Sequence, residues 1–150
     1  MSHPRRALLF MPGDSLRKIE KGAGLDVDSV IMDLEDGVAP SQKSAARETT
    51  LHALKNLDFG DSERLVRINP VKSGLEWDDL AATIEGRPDA YVIPKAERAK
   101  DIEKISRWLT TQEHKRDWPK NRIRLLASSI CGKSPKRANV WMRWSSERKI

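Results

Sequence analysis

The chain has 150 residues and a formal charge of +6, room for one domain with a sizeable core but short of the roughly 250 residues of a complete (β/α)8 barrel. No apolar stretch is long enough to span a membrane, the single Cys131 excludes an internal disulfide framework, and the three histidines lack metal-ligand spacing. The charge is uneven: residues 128–150 carry six Lys and Arg against Glu147, a net +5, which leaves +1 for residues 1–127. Charge confined to one end argues against a nucleic-acid-binding face and leaves no membrane partner in view. Residues 1–6 run directly into a strand-like segment without the apolar region of a signal peptide, so a cytoplasmic protein is expected.

Along residues 6–127, short β-rich apolar runs alternate with segments of helical spacing, the pattern of parallel βα units. The first strand is predicted near 7–11, stopped by Pro12-Gly13. Asp14 or Ser15 can cap the next helix, whose apolar face is Leu16, Ile19 and Ala23. A second strand over 29–34 ends in Glu35-Asp36-Gly37, with Ser41 as a plausible cap for the helix that follows. The third strand, near 64–68, stops at Asn69-Pro70 and precedes a helix around Trp77–Ile84. The fourth, near 90–93, stops at Pro94, and its helix presents Ile102, Ile105 and Leu109 on one face. A fifth strand over 122–126 follows Trp118-Pro119. The expected fold is α/β, a partial (β/α)8 TIM barrel of four βα units and a fifth strand. An open doubly wound sheet is the alternative, without that fold's glycine-rich phosphate loop.

From Ser128 the pattern changes. Residues 128–150 lack amphipathic period, and Trp141-Met142-Arg143-Trp144 has no partner element in the sequence. The expectation is a domain over residues 1–127 and a basic, disordered tail over 128–150. Gly132-Lys133-Ser134 lacks the earlier glycine of a phosphate loop and is set aside.

In a parallel barrel the chemistry sits at the C-terminal strand ends. There the chain offers Phe10, the carboxylates Asp33, Glu35 and Asp36, then Arg67 and Lys95. The acidic trio reads either as a solvated turn or as a set that orients cations. Arg67 lies within an apolar strand, where a charge needs a carboxylate partner or an anionic ligand. Lys95 is either a surface lysine or an anchor for the acidic cluster. Arg17 and Lys21, one helical turn apart, read by themselves as a solvated face. Trp77, Trp108 and Trp118 read as packing residues.

Four ordered segments carry a family resemblance: Arg6–Asp14, Val30–Pro40, Arg64–Pro70 and Tyr91–Lys95. Together they resemble the citrate lyase β-subunit-like proteins over about residues 5–127. The resemblance implies a (β/α)8-barrel lyase that cleaves or forms a C–C bond in citramalyl-CoA, malyl-CoA or a citryl thioester, with Mg²⁺ as cofactor and a homo-oligomer as the parent assembly. It implies that Arg67 binds the keto-acid carboxylate; the places of Glu35 and Asp36 at the end of the adjacent strand separately predict that one of them shares the Arg67 pocket, and all three are candidate catalytic residues. Phe10, Arg17 and Lys21 then lie on the substrate and coenzyme side. A non-catalytic half-barrel that binds another chain, and a basic nucleic-acid-binding protein, are the rival readings.

The sequence departs from the family where its metal site should be. The family's fifth strand continues roughly as Ile-Glu-Thr-Ala, whose glutamate binds Mg²⁺, and a later Phe-Gly-x-Glu-Asp motif gives the second carboxylate. Here Ala127 is followed by Ser128-Ser129-Ile130, and neither ligand is present, so no metal ligand is assigned. The genetic code suggests why. Read from the third base of each codon into the next, Trp141-Met142 must encode Asp, and Met142–Ile150 can encode Glu-Val-Val-Phe-Gly-Ala-Glu-Asp. In the same frame Ser129–Trp141 can encode Asn-Leu-Arg-Glu-Ile-Ala-Lys-Ala-Ser-Glu-Arg-Met, resembling the family's next helix. The expectation is a deletion near codon 128 with a shifted frame; aberrant splicing or a sequencing error leaves the same trace. A chain of this kind is expected to lack lyase activity.

Overall fold

A computed structural model describes residues 6–130 and 139–144, with side chains described over 6–128. Five parallel strands lie side by side in chain order: β1 (Leu8–Pro12), β2 (Ser29–Asp33), β3 (Glu63–Arg67), β4 (Ala90–Ile93) and β5 (Arg124–Ile130). Helices α1 (Leu16–Ala23), α2 (Lys43–Asn56), α3 (Glu76–Thr83) and α4 (Ala99–Lys115) connect them. Sequential parallel order with a helix at each crossover is the (β/α) barrel arrangement, here an arc that does not close. The doubly wound alternative would reverse the strand order part-way, and the five parallel strands show no such reversal.

Strand alternation sorts the core into two sides. Val30, Met32, Val66, Tyr91, Ile93 and Leu125 pack with the helix residues Ile19, Leu80, Ile105 and Leu109. The opposite face gathers Ile31, Leu65, Ala90, Val92 and Leu126, with Leu8 against them, which is the inside of the arc. Below that apolar layer Glu63 accepts from Ser29 Oγ at 2.9 Å and Arg124 Nη2 at 2.6 Å. Above it, at the C-terminal strand ends, the inward positions are Phe10, Asp33 and Arg67. The same register therefore lifts one charged layer to the end where barrel chemistry is done.

Most predicted boundaries fall within a residue or two of those observed. Ser15 caps α1 and accepts from Lys18 N at 3.4 Å. Ser41 does not cap α2. It lies inside a 3-10 turn over Pro40–Gln42, because Pro40 starts a tight turn one residue before a cap would form, and α2 begins at Lys43 with no side-chain cap. Ile102, Ile105 and Leu109 are buried on α4 as their spacing predicts.

The largest departure is at the far end. The fifth strand runs to Ile130, and the Trp141–Trp144 segment does have a partner. Strand β6 (Asn139–Trp144) pairs antiparallel with β5, from Leu125↔Trp144 to Ile130↔Asn139. A β5 with a free edge is a row of unpaired backbone groups, and the Val140-Trp141-Met142 segment is rich in β-forming side chains. Residues 139–144 of the expected tail thus form this strand. The rest of that tail, residues 131–138 and 145–150, lies outside the described residues.

Candidate active site at the strand ends

Asp33 closes β2 and Arg67 closes β3 at directly paired register positions. Arg67 Nε donates to Asp33 Oδ1 at 2.8 Å and Nη2 to Oδ2 at 2.5 Å, a two-pronged carboxylate–guanidinium pair. Asp33 also accepts the backbone amides of Glu35 and Gly37, each at 2.9 Å, which folds the turn after β2 around its carboxylate. Glycine is required at 37: a Cβ there would lie 2.7 Å from Asp33 Oδ2. Burial alone would push the Asp33 carboxyl up. The Arg67 bond, the two amides and the Arg67 charge outweigh it and hold Asp33 below its ordinary range. Burial works against the Arg67 charge too, and Asp33 first, then Glu35 and Asp36, reverse that and raise its pKa.

Glu35 is buried, with Oε2 3.4 Å from Arg67 Nε and Oε1 3.0 Å from Lys95 Nζ. The Lys95 contact is an ion pair by distance, off the axis of a good hydrogen bond, and no other donor among the described residues serves that oxygen. The backbone takes the left-handed region at Lys95, φ 50°, one residue after Pro94, as it leaves β4. Glu35 raises the Lys95 pKa, first through this close contact and then through its charge. Of the two sequence readings of Lys95, the structure has the anchor. The Phe10 ring lies under the Arg67 guanidinium at 4.8 Å.

Arg67, Glu35 and Phe10 thus meet in one cluster with Asp33 and Lys95. Asp36 is exposed beside it and acts on Arg67 and Lys95 through charge. Arg17 and Lys21 are exposed on α1, in its first and last turns, with no contact to the cluster. Nη1 of Arg67 makes no hydrogen bond among the described residues, so the guanidinium edge away from Asp33 is open to a second carboxylate.

Support from below escaped the sequence reading. Lys43 Nζ donates to the carbonyls of Leu34 and Glu35, both at 2.6 Å. Asn69 Nδ2 donates to the Leu34 carbonyl at 2.9 Å and to Asp79 Oδ2 at 2.7 Å, and Arg47 Nε donates to Asp79 Oδ1 at 2.7 Å. The i, i+4 spacing of Lys43 and Arg47 was the available signal. Asp79, beside Asp78 in a polar helix, gave none.

No group of three or more His, Cys, Asp or Glu suited to a metal ion occurs among the described residues. Asp33 and Glu35 are already bound to Arg67 and Lys95, and a divalent cation there would face two positive charges at close range. Asp33 and Glu35, paired in this way, do not fit Mg²⁺.

Residues 6–129 match the HpcH/HpaI aldolase/citrate lyase family. The chain belongs to that family. Curated relatives include human mitochondrial citramalyl-CoA lyase, 40% identical over 102 residues that make up 67% of this chain and 30% of the relative. A (3S)-malyl-CoA thioesterase of Cereibacter sphaeroides is 41% identical over 107 residues, 70% of this chain and 37% of the relative. Among solved structures, the citrate lyase β subunit of Mycobacterium tuberculosis complexed with oxaloacetate and magnesium superposes with a TM-score of 0.61 at 29% identity. That match covers 83% of this chain and 47% of that one. A structure of the M. tuberculosis protein CitE in complex with magnesium, acetoacetate and coenzyme A has a TM-score of 0.60 at 30% identity and covers 84% of this chain and 41% of that one. The chain spans about a third of the length of these curated relatives and less than half of these solved chains.

Proposed function

We propose that this citrate lyase family chain carries the keto-acid side of an acyl-CoA C–C lyase site and does not itself turn over substrate. The parent reaction is cleavage of citramalyl-CoA, malyl-CoA or a citryl thioester into a thioester and a 2-keto acid. The observation that carries the reading is the Arg67 guanidinium. Asp33, Glu35 and Phe10 fix it at the strand ends, and one edge remains open to a carboxylate. The relatives' names support the substrate class, since they are a citramalyl-CoA lyase, a malyl-CoA thioesterase and a citrate lyase β subunit bound to oxaloacetate. Phe10 and the α1 cations Arg17 and Lys21 serve the thioester and coenzyme side. Magnesium belongs to the parent site: its glutamate falls in the segment that a deletion near codon 128 removes, and its aspartate in the shifted frame of Met142–Ile150. A charged centre of that kind supports the enolate and keto-acid oxygens as charge develops, so its loss leaves binding without chemistry.

Two measurements test this. Cleavage of the three thioesters with Mg²⁺ should fall about a hundredfold or more below that of a frame-restored, full-length version. Comparable turnover by both proteins would mean that the chemistry resides elsewhere. Pyruvate binding by calorimetry should be measurable for this chain. Arg67→Lys should weaken it about tenfold or more, since a point charge replaces the planar fork. Unchanged affinity in that variant would remove Arg67 from the site. Resequencing the gene across codons 120–135 tests the frame.

A further inference from the structure

We infer that Lys43, assisted by Arg47, is a positioning residue that holds the turn after β2 so that the Asp33 and Glu35 carboxylates face Arg67. The inference rests on the site proposed above and deepens it. Lys43 is the first residue of α2, whose first turn contains no acidic residue. A cation there opposes the helix dipole, so local helix stability gives no reason for it. Its half-buried ammonium instead reaches across to another element and takes the carbonyls of Leu34 and Glu35, each at 2.6 Å.

Arg47 lies one turn further along the same helix face. It binds Asp79 Oδ1 at 2.7 Å, while Oδ2 of the fully buried Asp79 accepts both the backbone amide and the side-chain amide of Asn69 at 2.7 Å. Asn69 Nδ2 then donates to the Leu34 carbonyl at 2.9 Å. Two routes from one face of α2, one direct and one through Asp79 and Asn69, therefore converge on a single carbonyl oxygen. From that anchor the chain turns through Glu35, whose amide binds Asp33, to Gly37, whose amide binds the same carboxylate. Among the described residues the Glu35 carbonyl otherwise receives only Val38 N, at 3.2 Å. Neither α2 cation touches the open edge of Arg67. They act through backbone, by fixing the direction in which Glu35 and Asp33 leave it.

The test uses the full chain with Lys43→Met, which keeps length and volume without the charge, and Lys43→Arg, which keeps a donor able to span two carbonyls. Amide hydrogen exchange is followed at Glu35, Gly37 and Val38, with Tyr91 and Val92 of β4 as the internal reference. Exchange in Lys43→Met should quicken about tenfold or more at the first three and stay level at the reference, as loss of a charged hydrogen-bond donor predicts. Lys43→Arg should restore most of the protection, and pyruvate affinity should follow the same order. If Lys43→Met does not fold, Lys43→Gln carries the comparison. Unchanged protection at Glu35–Val38, or a loss spread equally over β4, would overturn the assignment. Wild-type protein that binds no pyruvate would instead overturn the site reading, and the exchange pattern would still decide the role of Lys43.

Discussion

Asp33 and Arg67 are direct register partners of β2 and β3, joined by two hydrogen bonds of 2.8 and 2.5 Å on the inner face of the arc. Each charge is largely removed from water, and each is satisfied by the other. A pair of this kind adds little net stability by existing but costs a great deal to break, because the survivor stays buried and unpaired.

Asp33→Asn should therefore destabilise the fold by about 3–5 kcal/mol, since it leaves Arg67 without its main counter-charge and weakens the turn closed by the Glu35 and Gly37 amides. Urea unfolding followed by tryptophan fluorescence measures this. A loss under about 1 kcal/mol would show that Glu35 alone can neutralise Arg67.

The same pair sets an acid limb. The Asp33 pKa is lowered in the folded state, so its contribution is complete above the ordinary carboxylate range and is lost as pH falls through that range toward the folded value. Stability should hold from neutrality to about pH 5 and fall below about pH 4. Urea midpoints for the wild type and Asp33→Asn, compared from pH 7 to pH 3, should converge at the acid end. Parallel curves would assign the acid limb to other carboxylates.

Gly13→Ala should destabilise by about 1–3 kcal/mol. A Cβ at position 13 would lie 2.8 Å from the Asp33 carbonyl oxygen and 2.9 Å from both Leu34 Cδ2 and Thr50 Oγ1. The Gly13 amide donates to that same carbonyl at 2.8 Å, so the β1 turn cannot back away without breaking a bond. Thermal unfolding monitored by circular dichroism would register the loss. A Tm equal to the wild type would mean that the turn has more slack than these distances allow.

Magnesium should leave the thermal midpoint of this chain unchanged at millimolar concentration, while raising that of a frame-restored version that contains the two family carboxylates. A ligand that binds only the folded state stabilises it by mass action, about 2.7 kcal/mol at a hundredfold excess over Kd. Stabilisation of this chain by Mg²⁺ but not by Na⁺ at matched ionic strength would show that Asp33, Glu35 and Asp36 can release their cations to a metal.

The order and type of the elements were legible without coordinates. Runs such as Val30-Ile31-Met32 and Tyr91-Val92-Ile93 are apolar on both faces, as strands covered by helices outside and by an interior layer inside must be. The helix spacing of Ile102, Ile105 and Leu109 was equally local. Arg67 inside such a run announced a buried partner, because an isolated charge there is too costly to persist. Which carboxylate took it was a tertiary decision. Glu35 and Asp36 were the nearest candidates by sequence pattern, yet Asp33 holds the register position opposite Arg67, and only strand pairing fixes that position. Lys43, Asn69 and Asp79 were likewise invisible, because their bonds join different βα units and polar helix residues carry no mark of where they reach. The β5–β6 pairing was a tertiary decision too. Backbone groups need partners regardless of side-chain pattern, so a segment without helical period or an evident mate in the sequence is a strand where the β5 edge offers it a partner.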